Sequence, residues 1–200
     1  MKSSIVWKNI YKNYNPQKKN MATKNETTTS LAPKEVILTR IINAPRELVF
    51  DAFTQPEQVA NWFGPRIFTA TAEGEPKKGG KYRYTMHGTA DAPPEFKGPF
   101  PMKGEYLEFI RPEKILQTTD LSEQPDDWKA RIQSAIPNYK GQDFLHSVMS
   151  VTFEEAGKDK TKITISEKFD SDEVRDAYFK TGMKEGWSES LDKLEELVQK

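Results

Sequence analysis

The sequence contains no cysteine, which removes disulfides, thiolate zinc sites and cysteine nucleophiles from consideration. It carries no net charge either. Lys+Arg and Asp+Glu number 30 each, so no overall field draws the chain toward nucleic acid or an anionic membrane. No run of about eighteen apolar residues is available to span a bilayer. The opening "IVWKNIYKNY" is interrupted by Lys8, Asn9, Lys12 and Asn13 before a secretory signal develops. Histidine is scarce: His87 and His146 are the only two, and they lack a third ligand at metal spacing. No GxSxG motif is present, and Gly79-Gly80 lead into a strand pattern instead of a helix, which leaves no phosphate cradle. These absences predict a cytoplasmic protein without metal, cofactor, nucleic-acid or membrane partner.

What is present suffices for one domain. With 200 residues, 36% of them hydrophobic, the chain can bury one sizeable core. Residues 1–33 are rich in Lys, Asn and Thr without a sustained period, and read as a disordered basic tail. Seven lysines in residues 1–34 face the single acid Glu26, so the remainder is mildly acidic. Met21 offers an alternative start. The domain is expected over 34–200, with an insertion at about 121–144.

From Glu35 the pattern changes. "EVILTRII" is β-branched and alternating, hence a strand. Two short helices follow, the first opened by Asn43 and Pro45 with Leu48, Val49, Ala52 and Phe53 as its apolar stripe, the second opened by Pro56 and stopped by Gly64-Pro65. Further strands come at "IFTATAEGE", "KYRYTMHG", "MKGEYLEFI", "KILQTT", "HSVMSVTFEE" and "KITISEKF". Residues 126–136 interrupt them with a partly helical pattern. One long helix over Ser171 to Val198 closes the chain, with Phe179, Met183, Trp187, Leu191, Leu194 and Val198 on a single face. Gly182 and Gly186 break its propensity beside its largest side chain. They predict either close approach to a strand or an opening toward an internal cavity. The expected class is α+β: an antiparallel sheet of about seven strands, curved around the last helix and closed at one end by the two short ones.

The segments "RIINAPRELVFDAFTQPEQVANWFGP", "GGKYRYTM", "GEYLEFIRPEKI", "VTFEEAGKDKTKITI" and "GMKEGWSESLDKL", in this order, resemble single-domain relatives of the activator of the 90-kDa heat-shock-protein ATPase, within the START-like (SRPBCC) superfamily. The resemblance covers about residues 35–199. It implies the helix-grip fold and a cavity between sheet and long helix. The eukaryotic activator has an additional N-terminal domain with an asparagine- and tryptophan-rich motif, and residues 1–34 do not resemble it.

Alternation and the family motifs together point to Trp62, Phe63, Tyr82, Tyr84, Met86, Met149, Met183 and Trp187 as cavity-facing residues. For each, core packing is the competing reading. Phenols that orient and thioethers that adapt suit a small apolar ligand. The leading expectation is therefore binding of such a molecule by a monomer or homodimer. The alternatives are a module acting on a chaperone, or a cyclase-like pocket enzyme. No catalytic residue is assigned: Glu105 and Glu108 fall on opposite faces of one strand and cannot flank a bond. His87 faces away from Tyr82, Tyr84 and Met86, and Arg40 and Arg66 read as surface ion-pair residues.

Overall fold

The computed structural model describes residues 25–141 and 143–200. The expectation for residues 1–24 lies outside the described residues. Eight strands form a single antiparallel sheet: β1 (Thr28–Ala32), β2 (Glu35–Ile42), β3 (Phe68–Gly74), β4 (Lys81–Gly88), β5 (Pro99–Ile110), β6 (Lys114–Asp120), β7 (His146–Glu155) and β8 (Thr161–Lys168). Their order is β1-β2-β8-β7-β6-β5-β4-β3. The chain passes from β2 to the far edge at β3 through α1 (Arg46–Thr54) and α2 (Pro56–Trp62). A helix within the expected insertion, α3 (Asp126–Ala135), precedes β7, and α4 (Asp172–Lys180) and α5 (Met183–Val198) follow β8. Among the described residues, no helix is long and apolar enough to cross a membrane.

The eighth strand corrects the expectation of about seven. Residues 28–32 had read as part of the tail, but Thr28 pairs with Thr39 and Ala32 with Glu35 around a turn in which Lys34 has φ 60. A polar edge strand leaves little apolar signal, because its pairing partner supplies the hydrogen bonds while its side chains stay largely in solvent.

Each strand buries one face, as the alternation requires. Val36, Leu38, Arg40 and Ile42 form the inward row of β2, and Ile163, Ile165 and Glu167 that of β8. A register shift between Tyr106 and Glu108 bends the long β5. Phe50, Phe53, Trp62 and Phe153 fill the space between sheet and helices with edge-on and tilted ring contacts at 4.9–5.4 Å. Position 48 corrects the expected stripe of α1: Leu48 is exposed, and Phe50 takes its place in the core.

The last helix is two helices. Gly182 adopts φ 94, the left-handed conformation that ends α4 and starts α5. Its N–H donates to Phe179 O at 3.3 Å, and its own carbonyl accepts from Gly186 N at 2.9 Å. The apolar stripe survives this break, with Leu191 and Leu194 fully buried and Phe179, Met183, Trp187 and Val198 packed partly buried against the same core. The expectation of an uninterrupted helix fails at Gly182, and that of close strand contact fails at Gly186. A Cβ on Gly186 would meet only Pro65 Cγ, at an ordinary 3.6 Å.

Arg40 also departs from expectation. It is 3% exposed and points from the sheet into the underside of α5. Its Nη2 lies 2.6 Å from Asp192 and 3.0 Å from Glu195, and Nη1 donates to Ser188 O at 3.2 Å. Glu195 in turn accepts from the backbone N–H and side-chain amide of Asn43 at 3.2 and 2.7 Å. A guanidinium in an inward row is stable only with such partners.

Two predictions follow from the helix and its clamp. Arg40→Met strands the buried Glu195 carboxylate and is expected to lower unfolding free energy by about 3 kcal/mol in a urea titration. The two glycines should respond with opposite signs: Gly182→Ala loses about 1 kcal/mol to left-handed strain, whereas Gly186→Ala gains up to about 1 kcal/mol of helix propensity.

Candidate functional site

Buried apolar residues fall into two clusters. The larger lies between the sheet and α1, α2 and α5; the smaller joins Ile67, Phe68, Ala92, Phe96 and Phe100 near the β3–β4 edge, with Met86 and Trp128 against it. Between them is a partly open pocket of about 220 Å3. Phe68, Phe96 and Phe100 wall it on one side, and Met149, Met183 and Trp187 on the other.

Polar contacts made outside the pocket hold its rim. The loop after α2 passes over α5, where Lys193 Nζ donates to Gly64 O at 3.1 Å and the Arg66 backbone N–H donates to Glu189 at 2.9 Å. The Arg66 guanidinium grips Glu196 through two bonds of 2.6 and 3.3 Å. Arg66 is thus the surface ion-pair residue its position suggested. Burial pushes the Lys193 ammonium below its usual range and the Glu189 carboxyl above its own, as expected of groups sharing one half-buried seam. Gly64, with φ 84, is required at the rim because a Cβ there would lie 2.6 Å from Met86 Sδ.

The segment expected as an insertion forms another wall. Leu121, Gln124 and Trp128 face the pocket. Gln124 is anchored by donating to Pro101 O at 2.7 Å, and Trp128 packs edge-on to Tyr178 with centroids 5.8 Å apart. Tyr178 donates to Phe144 O at 2.8 Å, tying α4 to the same segment. The first part of this segment thus contributes side chains to the pocket wall.

Of the eight residues expected to face a cavity, Phe63, Met86, Met149, Met183 and Trp187 line the pocket. Trp62, Tyr82 and Tyr84 do not, and belong to the core. The Trp62 indole N–H donates to Ala52 O at 2.7 Å, satisfying a side chain only 1% exposed. Tyr84 and Tyr106 share a hydroxyl–hydroxyl bond of 2.7 Å. Tyr82 donates to Thr118 O and accepts from Gln117 Nε2, both at 2.8 Å. Burial raises the pKa of all three phenols, so they remain neutral. Alternation correctly put Tyr82, Tyr84 and Met86 on one face of β4. It could not tell that this face runs from the solid core at Tyr82 to the pocket at Met86.

His87 is on the opposite face, beside Thr71 at 3.2 Å, as the alternation predicted. His146 lies between Asp120, at 3.3 Å, and Asp143, outside the pocket. Among the described residues no group of three or more metal-ligating side chains is assembled.

One residue that sequence reasoning missed is Glu167. It occupies an inward position of β8 and lines the pocket, where Ser147 Oγ donates to its Oε1 at 2.6 Å. Burial raises its pKa, and the Ser147 bond only partly opposes this. Thr119, 2% exposed, is also in the pocket wall. Its hydroxyl sits near the Tyr82 phenol, yet forms no hydrogen bond of proper geometry. The available signal was the row Ile163, Ile165, Glu167, in which a carboxylate follows two inward isoleucines.

Solved structures resemble this fold at low sequence identity. A protein from Rhodobacter sphaeroides superposes with a TM-score of 0.67 at 16% identity, covering 87% of this chain and 98% of its own. One from Nitrosomonas europaea gives 0.63 at 21%, with coverage of 82% and 94%. One from Staphylococcus epidermidis gives 0.64 at 23%, with coverage of 86% and 93%. At these identities the likeness is one of fold. No curated protein is similar enough in sequence to match. The family model described as "Activator of Hsp90 ATPase homolog 1-like protein" matches residues 43–199, through both short helices, six of the eight strands (β3 to β8) and the closing helices. The chain therefore belongs to the family of activator of Hsp90 ATPase homolog 1-like proteins.

Proposed function

We propose that this protein binds a small, largely apolar molecule in the pocket between its two hydrophobic clusters, acting in the cytoplasm as a carrier or sequestering module. The observation that carries this reading is the pocket itself: about 220 Å3 enclosed chiefly by phenylalanine, methionine and tryptophan side chains. An apolar cavity of about 150 Å3 is large enough to take up benzene, so this one suits a guest of one or two rings. Met86, Met149 and Met183 on three different elements supply adaptable walls. Trp187, stacked at 3° on Phe53 with centroids 6.5 Å apart, supplies a fixed one. The half-open mouth gives the guest a route in. The predominance of apolar side chains in the lining favours capture of a guest over hydrolysis or group transfer.

Titration with an environment-sensitive naphthalene dye is expected to show one saturable site per chain. Met86→Arg, which places a charge in the wall, should abolish that binding while thermal unfolding stays cooperative. Tyr84→Phe provides the contrast. It removes the bond to Tyr106 and should cost about 1 kcal/mol of stability, with dye affinity unchanged because the side chain is core. Loss of dye binding in Tyr84→Phe together with its retention in Met86→Arg would contradict the assigned site.

A further inference from the structure

The pocket is not uniformly apolar, and its polar end has an unusual composition. Thr119, Ser147 and Glu167 lie on the neighbouring strands β6, β7 and β8, with Thr119 directly opposite Ser147 in the ladder. Glu167 is flanked in register by Val36 and Met149. It is 8% exposed, and no lysine, arginine or histidine pairs with it among the described residues. Every other buried charge that the fold relies on has a partner, Arg40 with Asp192 and Glu195 being the example.

Such surroundings favour the protonated carboxyl, because ionising it would leave an uncompensated charge in an apolar wall. Ser147 donates to Oε1, so the acid proton belongs on Oε2, which forms no hydrogen bond among the described residues. The neighbouring phenols form no hydrogen bond to that oxygen. Tyr82 already accepts from Gln117 Nε2, and Tyr178 is committed to Phe144 O. Thr119 adds a second hydroxyl that lacks a partner. The Glu167 proton and the Thr119 hydroxyl are therefore donors in the wall that form no hydrogen bond to a protein acceptor among the described residues, and a buried donor left unmatched is costly.

We propose that the guest of this pocket carries a carbonyl oxygen on its apolar body, and that Glu167 and Thr119 donate hydrogen bonds to it. This rests on the reading that the pocket binds a small apolar molecule, and it narrows the class of guest to ketones, aldehydes and related acceptors. A carbonyl oxygen has two lone pairs and no proton, which complements a neutral carboxylic acid and a free hydroxyl. A purely hydrocarbon guest would leave both donors unmatched.

The test compares three probes of one shape on the full chain by calorimetry: acetonaphthone, its hydrocarbon analogue ethylnaphthalene, and its amine analogue naphthylethylamine. The ketone is expected to bind about tenfold tighter than the hydrocarbon. Glu167→Leu and Thr119→Val should each reduce that preference by weakening ketone binding, while hydrocarbon binding does not weaken. Glu167→Gln, which retains an N–H donor, should preserve most of it. Glu167→Leu replaces an unpaired buried acid and is expected to fold at least as well as the wild type; Thr119→Val provides an independent, nearly isosteric variant. Equal affinity for ketone and hydrocarbon, or a preference that neither substitution alters, overturns the proposal while leaving apolar binding standing. Tightest binding of the amine overturns it in favour of an ionised Glu167 that receives a cation. Failure of both ketone and hydrocarbon to bind overturns the pocket reading and this proposal with it.

Discussion

The architecture depends on how the closing helix is docked on the sheet, and Arg40 sets that docking. Apolar packing alone would hold α5 against β2 but would tolerate sliding by a turn, since dispersion and hydrophobic burial have little directionality. A guanidinium buried in an inward row admits one register, the one that brings Asp192 and Glu195 within 3.0 Å of it. Asn43, at the end of β2, holds the far side of Glu195 and ties the start of α1 to the same point. With α5 placed in this way, Trp187 lies over Phe53, and Met183 and Gly186 are left at the pocket.

The pocket persists because its walls are anchored elsewhere. Protein interiors ordinarily collapse around unfilled space, and a void lined only by mobile apolar side chains would close. Here the α2–β3 loop is held by Lys193, Glu189 and Glu196 of α5, outside the pocket. The α3 segment is held by Gln124 on Pro101 and by Tyr178 on Phe144. These bonds bring the two hydrophobic clusters near one another without letting them merge. The turn at Gly182 contributes as well. It ends α4 and starts α5 at a position that itself lines the pocket.

Much of this could be read from the chain before any coordinates. Period-two alternation located seven strands, Pro45 and Pro56 marked the starts of the two short helices although Asn43 bonds Glu195 and does not cap the first, and spacings of three and four identified the stripe from Phe179 to Val198. The candidate site was legible only in part. Met86, Met149, Met183, Trp187 and Phe63 were found because they carry large apolar side chains on inward faces, and Trp62, Tyr82 and Tyr84 were included for the same reason. A face pattern reports which side of a strand is buried, not whether the neighbouring volume is filled. Glu167 and Thr119 escaped notice because a polar residue at the end of an inward row resembles the first exposed residue beyond it. Arg40 was misjudged on the same ground, as the acids that pair with it lie about 150 positions further along the chain.

By itself the sequence determined the elements, their order and which face of each turns inward, since these follow from local propensity and periodicity that neighbouring residues already express. Only the tertiary structure decided where the core stops and the pocket begins, that the last helix breaks at Gly182, and that an unpaired acid stands in the pocket wall. Those outcomes depend on which distant side chains meet, and the distances between them are fixed only once the sheet has curved and α5 has been locked in place by Arg40.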